Sequence, residues 1–198
     1  MSGGFHAEDA RVLLPLTPPA SEPERADRVW QFDKFRFRAD FDSANLNDVQ
    51  AVKGAASEFQ LWTRSDCKGT PYETNMKSWF YFGVSGQAAG DFLILTMMSL
   101  NRQTRLYSQD YRPWVWRAGQ REWEIIPNKT IYKKETDGNF QIRFSYKFDA
   151  PCPDEVFFAF AVPHSYTDTQ ERASWTHRLA IFSRGLRPRT PAVRSLLP

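Results

Sequence analysis

The sequence FQIRFSYKF, residues 140–148, decides the fold class, because apolar and polar residues alternate through it without a break. Successive side chains of a β-strand point to opposite faces, so the five apolar residues of this segment share one face. A strand of this kind has one side in a core and the other in water. The next segment, residues 155–162, is nearly all apolar and predicts a central strand that is buried on both sides.

Shorter segments of the same β type lie upstream, separated by polar turns. They cover residues 35–38, 58–64, 78–84, 92–100, 114–117, 122–126 and 131–134. Asp137-Gly138-Asn139 predicts the turn that leads into residues 140–148. No helical stretch of about 10–15 residues separates the segments, which argues against alternating βαβ units. Roughly nine strands at this spacing predict an antiparallel sandwich or barrel.

Composition divides the chain into three parts. Residues 1–32 are rich in Pro, Ala and acidic residues, and predict a flexible leader. The β-type segments place the folded domain at residues 33–171. Residues 172–198 contain six Arg and no acidic residue, so the formal net charge of +3 for the whole chain becomes −3 for residues 1–171. This basic tail predicts either a non-native end, such as a frameshift, a retained intron or an alternative terminus, or a functional segment.

Charge and cysteine content exclude several classes of protein. A nucleic-acid-binding domain carries its basic stripe on the folded part, whereas the basic excess here is confined to the tail, so no nucleic acid is expected. Cys67 and Cys152 are too few for a disulfide framework and suit a reducing compartment. No apolar run reaches the roughly 18 residues that span a bilayer, and no secretory signal pattern is present. A cytoplasmic protein without membrane contact is expected.

The residues needed for catalysis do not form a pattern. The three histidines, His6, His164 and His177, are far apart, and none starts the His-x-x-Glu pair typical of a zinc hydrolase. Ser85 lies in a Gly-Val-Ser-Gly turn that lacks the spacing of a nucleophile elbow. Cys67 has no histidine placed to activate it. No catalytic residue, metal ligand or cofactor is therefore assigned to this chain.

One aromatic and basic cluster is a candidate binding surface. It consists of Arg102, Arg105, Tyr107, Tyr111, Arg112, Trp114 and Trp116. This composition is typical of a binding platform, although the same side chains would also pack between sheets or against a neighbouring domain. Asp42, Asp48 and Asp66 leave open an unrelated β-sandwich enzyme, but turns use Asp routinely.

Four segments together resemble the N-terminal domain of the cytosolic carboxypeptidases, zinc enzymes that trim glutamates from tubulin tails. They are FDSANL at 41–46, SWFYF at 78–82, MSLNRQTRLYSQ at 98–109 and FFAFAVPHSYTDTQ at 157–170. Ala44 and Asp110 stand where the family usually has glycine. The resemblance covers residues 35–171 and stops where the basic tail begins.

The resemblance implies an all-β fold, an antiparallel β-sandwich of roughly nine strands with disordered N- and C-terminal tails. It also implies a non-catalytic accessory domain, because the family's zinc ligands and catalytic Glu lie downstream of the SYTD segment. The missing catalytic domain, and through it tubulin, are the implied partners, and zinc is a cofactor of the full-length enzyme only. The residues expected at an interdomain or partner surface are Arg105, Tyr107, Trp114, Tyr166 and Asp168. The alternative is a stand-alone β-sandwich module that binds an acidic protein such as tubulin.

Overall fold

Two β-sheets and two helices make up the part of the chain that the computed structural model describes, residues 28–134, 139–149 and 155–185. The first sheet has six strands in the order β1 (Val29–Phe32), β2 (Phe35–Arg38), β5 (Tyr81–Ser85), β11 (Val156–Ala159), β7 (Trp114–Arg117) and β8 (Glu124–Ile125). The second has five, in the order β3 (Asp48–Ala51), β4 (Glu58–Trp62), β6 (Phe92–Leu100), β10 (Phe140–Lys147) and β9 (Ile131–Lys134). Helix α1 (Thr104–Ser108) follows β6, and helix α2 (Tyr166–Gly185) follows β11.

The core lies between the two sheets and is built largely from phenylalanine rings. Every apolar residue of the 140–148 segment is buried, at 5% exposure or less, which confirms the one-faced strand. From this strand Phe144 stacks against Phe80 with ring centroids 6.2 Å apart, and lies 6.3 Å from Phe158 of β11. Tyr146 meets Phe158 edge to face at 5.3 Å. These rings join one sheet to the other, so the predicted sandwich is confirmed.

The structure has more strands than the sequence predicted. Strand β1 begins at Val29, inside the segment predicted as a leader. Strand β3 was missed because Val49 is its only buried residue, too little for an alternating pattern. Among the described strands, the pair of β4 with β6 is parallel and every other pair is antiparallel. The chain crosses to the six-stranded sheet to form β5 before it returns as β6, and this crossover makes the pair parallel.

Helix α2 spans residue 172, the boundary predicted between the folded domain and the basic tail. It runs from Tyr166 through Gly185 and crosses that boundary. The sequence did not reveal it because its apolar residues do not gather on one face. Neither described helix is long and apolar enough to cross a membrane. The predicted leader up to residue 27, the turn at Asp137-Gly138, Cys152 and the last thirteen residues lie outside the described ranges.

Phe158→Ala should unfold the sandwich more readily than any change on its outer faces. Phe158 is fully buried between the sheets, so truncation leaves a cavity that costs about 3–5 kcal/mol of unfolding free energy. The matched control is Phe92→Ala, since Phe92 is 41% exposed and its loss should cost about 1 kcal/mol or less. Urea denaturation of both variants measures the difference. Equal losses would show that the core does not lie where the two sheets face each other.

Candidate interdomain surface

The outer face of the six-stranded sheet carries a cluster of half-buried aromatic side chains. Strand alternation sends Phe158 into the core and Phe157 to this face, opposite Trp116 in the register. The outer aromatic cluster consists of Phe41, Trp79, Tyr81, Trp116, Trp123 and Phe157. Its ring centroids are 4.8 to 6.3 Å apart, the range of favourable edge-to-face contacts. All six rings are partly accessible, so the cluster presents apolar area to a partner.

An ion pair borders this cluster. Arg38 Nε donates to both carboxylate oxygens of Glu155, at 2.7 and 2.8 Å, and Arg38 Nη1 donates to Asp40 Oδ1 at 2.9 Å. The guanidinium also lies 4.8 Å from the ring centroid of Phe41, a cation–π distance. Glu155 lies directly over Gly83, where a Cβ atom would come within 2.3 Å of the carboxylate. A side chain at this strand position would displace the Glu155 carboxylate from where it lies.

Burial governs the titration of the groups on this face. It raises the pKa of Glu155, and the hydrogen bond and charge of Arg38 do not fully reverse the effect. Burial, together with the nearby carboxylate of Asp168, raises the pKa of Tyr81 to about 12. Tyr81 therefore stays protonated at neutral pH. Its hydroxyl can act as a hydrogen-bond donor on this surface.

Hydrogen bonds connect the FDSANL segment, which borders this face, to the neighbouring loops. Asn45 Nδ2 donates to the carbonyl oxygens of Arg64 and Trp79, and Asn45 Oδ1 accepts the backbone N–H of Arg64 at 3.0 Å. The Trp79 indole N–H donates to the carbonyl of Ser43 at 2.7 Å. The left-handed position of the segment is Ser43, with φ of 63°, so Ala44 needs no glycine-like conformation. Asn45 is therefore a structural residue.

The SYTD segment starts helix α2 and meets FDSANL. Ser165 and Asp168 exchange two hydrogen bonds, each 3.0 Å long, in the geometry of a capping box. The bond from the Ser165 backbone N–H lowers the pKa of Asp168. Thr167 donates from its backbone N and from Oγ1 to Asp42 Oδ2, at 3.0 and 2.9 Å. Two segments separated by 125 residues thus join where α2 leaves the sandwich, next to Phe41.

The structure separates the five residues expected at an interdomain or partner surface. Tyr166 is 69% exposed and stands with Asp168 in the first turn of α2. Trp114 is half-buried on β7. It pairs with Ala159 of β11, which pairs on its other side with Tyr81 of β5. Arg105 lies apart, exposed on α1.

The prediction of a surface position is corrected for Tyr107. Only 1% of this residue is accessible, and its ring contacts Tyr111 and Phe140 in the core. Sequence reasoning missed Phe41, Phe157 and Arg38. Because residues 155–162 contain almost no polar residue, their pattern gives no sign that Phe157 faces outward.

The predicted aromatic and basic cluster at 102–117 is also divided. The Tyr111 hydroxyl donates to the carbonyl of Phe160, and Arg112 donates to the carbonyls of Ile126 and Pro127. Trp116 belongs to the outer aromatic cluster. Of the predicted platform, Arg102 and Arg105 remain as exposed residues on one short stretch.

The side chains that the structure describes do not fit a zinc site. Among them, no three His, Cys, Asp or Glu residues lie together in a way that would hold a metal ion. Asp42 accepts from Thr167, and Asp48 accepts from the backbone N–H of Val49 and from Gln50. These two carboxylates have structural roles, Asp42 in a turn and Asp48 at the start of β3. No metal-dependent step is derived for this chain.

Ser165→Ala should loosen the start of α2. The substitution removes the hydroxyl that accepts the Asp168 N–H, which costs about 1 kcal/mol of helix stability. Cleavage by trypsin after Arg172, within the helix, should become faster while the sandwich stays intact. Gln170→Ala is the matched control, since Gln170 is exposed on the same helix and a change there should have an effect below about 0.5 kcal/mol. Equal cleavage rates in both variants would show that the capping box does not hold the helix.

Glu155→Gln tests whether burial or the Arg38 contact has the larger effect on the pKa of Glu155. The pKa of Glu155 in the folded state is raised above the ordinary 4.5. Its contribution to the stability of the fold is therefore present below pH 4.5 and is lost as the pH rises through the folded-state pKa. The unfolding free energy of the wild type should therefore fall relative to E155Q as the pH rises from about 4 to about 7. Urea denaturation across this range measures it. A wild-type advantage that grows with pH would mean that Arg38 outweighs burial.

Known proteins resemble this chain in sequence. The family model described as the cytosolic carboxypeptidase N-terminal domain matches residues 37–160. Cytosolic carboxypeptidase-like protein 5 of Bos taurus is 35% identical over 161 residues, which cover 70% of this chain and 18% of the relative. The protein of the same name from Danio rerio is 30% identical, with 68% and 17% covered. This chain therefore spans about a fifth of the length of these relatives.

Solved structures match at lower similarity. A putative carboxypeptidase A from Shewanella denitrificans is 23% identical, with a TM-score of 0.48 and with 77% of this chain and 34% of that chain covered. The match to residues 37–160 includes nine of the eleven described strands, β3 to β11, and the second half of β2. The chain belongs to the cytosolic carboxypeptidase family, within which it corresponds to the N-terminal domain.

Proposed function

We propose that this chain is the non-catalytic accessory domain of a zinc metallocarboxypeptidase that removes glutamates from tubulin tails in the cytoplasm. The outer aromatic cluster is the surface on which the catalytic domain packs. The observation that carries this proposal is the junction of Asp42 with Thr167, because it directs the chain out of the sandwich beside that cluster. Helix α2 therefore starts next to an apolar face that nothing in the described chain covers.

The physical reason for packing is the apolar area of the cluster. Burying apolar surface stabilises an interface by about 25 cal/mol per Å², so six partly accessible rings supply a sizeable favourable term. Tyr166, 69% exposed, and Trp175, 66% exposed, add apolar area along α2. A monomeric domain rarely leaves such a contiguous patch in water.

The Arg38–Glu155 pair has a different role at this interface. Its charges are already matched to each other, so a covering domain would not leave either one unpaired. A pair of this kind contributes more to the relative orientation of two domains than to the affinity between them. Substrate entry to the catalytic domain depends on how the two domains are oriented. The accessory domain acts through this orientation and not through a catalytic group.

The stand-alone binding module remains as a second candidate. What favours it is the pair Arg102 and Arg105 on an exposed groove, together with the six arginines of residues 172–198. Both would attract an acidic protein such as tubulin, and the attraction would weaken with added salt. This candidate predicts binding without any catalytic domain.

A chimeric enzyme tests the first proposal. Residues 1–171 replace the corresponding domain of the Bos taurus relative, ahead of that protein's catalytic domain. The chimera should be soluble and should release glutamate from glutamylated tubulin peptides. The variant Trp116→Ser with Phe157→Ser should lose at least about tenfold of that activity or become insoluble, since it removes two rings of the interface.

The matched control changes the other sheet. Phe92→Ser together with Ile94→Ser alters the outer face of β6, and should leave activity within about twofold of the chimera. The 198-residue chain alone should release no glutamate, with or without added zinc. Full activity of the W116S/F157S chimera would refute the assignment of the interface. Zinc-dependent release by the chain alone would refute its non-catalytic role.

A further inference from the structure

The outer face of the five-stranded sheet lies on the opposite side of the sandwich from the outer aromatic cluster. Its central strand is β6, in which every second residue from Leu93 to Met97 is fully buried in the core. Alternation therefore turns the other residues of β6 outward, and these form an apolar stripe of Phe92, Ile94, Thr96 and Met98. Phe92 is 41% exposed, and Ile131 of the edge strand β9 is 65% exposed on the same face.

The strands on the two sides of this apolar stripe carry charges of opposite sign. On one side β9 and β10 turn Lys133, Arg143 and Lys147 outward, since their register aligns them with the outward positions of β6. On the other side β3 and β4 turn Asp48 and Glu58 outward. Among the outward residues of the described strands, the β9–β10 half has no acidic residue and the β3–β4 half has no basic one.

One ion pair already joins the two halves within the chain. Arg143 Nη1 lies 2.9 Å from Glu58 Oε1, and the pair crosses over β6 at the surface. Lys147 lies 3.5 Å from Asp149, which follows β10, but these side chains are 61% and 75% exposed, so their attraction is weak. The face thus keeps a basic half and an acidic half on either side of an apolar centre.

We propose that this face binds a second copy of the chain, across a two-fold axis that runs along β6. Rotation about that axis lays the basic half of one copy on the acidic half of its partner, and the apolar stripe of one copy on that of the other. A two-fold axis across the strands would instead lay basic on basic. The surface is therefore self-complementary in one arrangement, as a two-fold interface requires. Apolar residues at the centre with charged residues around them are the usual composition of such an interface.

The extent of the face sets the expected strength of this dimer. Strand spacing and rise give the five strands roughly 500 Å² of flat area, to which the side chains add. Stable interfaces bury about 800 Å² on each partner, so this one is at the weak end, with a dissociation constant on the order of tens of micromolar. The dimer leaves the outer aromatic cluster uncovered, because the two faces belong to different sheets. It is therefore independent of the function proposed above.

Sedimentation velocity of the full chain between about 5 and 200 µM tests the dimer. The wild type should change from monomer to dimer over this range. The half-buried Ile94 would lie against its own copy at the axis, so Ile94→Glu and Ile94→Lys each bring two like charges together. Either variant alone should associate at least about tenfold more weakly. An equal mixture of the two should recover the dimer, because opposite charges then meet, and this recovery also shows that both variants are folded.

The matched control is Trp116→Ser with Phe157→Ser, which changes the outer aromatic cluster of the other sheet. Its dissociation constant should stay within about twofold of the wild type. A monomeric wild type at 200 µM would overturn the proposal, and so would self-association of either Ile94 variant at the wild-type strength. Failure of the mixture to associate would refute the two-fold arrangement about β6. Loss of the dimer in W116S/F157S would assign self-association to the outer aromatic cluster instead.

Discussion

Contact between phenylalanine rings across the two sheets is the constraint on which the rest of the structure depends. Phe158 from β11 and Phe80, which immediately precedes β5, meet Phe144 and Tyr146 from β10, and all four are buried. A shift of one residue in the register of any of these strands would turn its ring out to water and expel it from the core. The core therefore sets which side chains face outward as well as which face inward.

The outer aromatic cluster is a direct result of that register. Since Phe158 must face the core, Phe157 must face the opposite way, where it meets Trp116 and Phe41. The same alternation in β5 places Gly83 outward, beneath Glu155. The absence of a side chain at Gly83 lets the Arg38–Glu155 pair lie flat on the sheet. Core and candidate interface are thus two faces of the same strands.

The parts of the fold that were predictable are those with a period-two pattern. Residues 140–148 alternate strictly, and their strand and its buried face followed from that pattern. Phe157 was not predictable, because β11 is apolar on both faces and alternation cannot assign a side. Tyr107 was misplaced for a related reason: nearby arginines suggested a surface, but a five-residue helix turns its ring into the core. Helix α2 lacks an apolar face, so the periodicity of the sequence did not predict it.

Two of the segments that carry the family resemblance, FDSANL and SYTD, have structural roles in this chain. Asn45 ties FDSANL to the loops around Arg64 and Trp79, and Asp42 of the same segment accepts both bonds from Thr167 of SYTD. Neither segment brings together groups that would hold a metal or activate water. Their joint effect is to fix where and in which direction the chain leaves the sandwich. In the function proposed for this chain, the direction of that exit is the means by which the domain would influence a neighbouring active site, because it determines which surface the next domain meets.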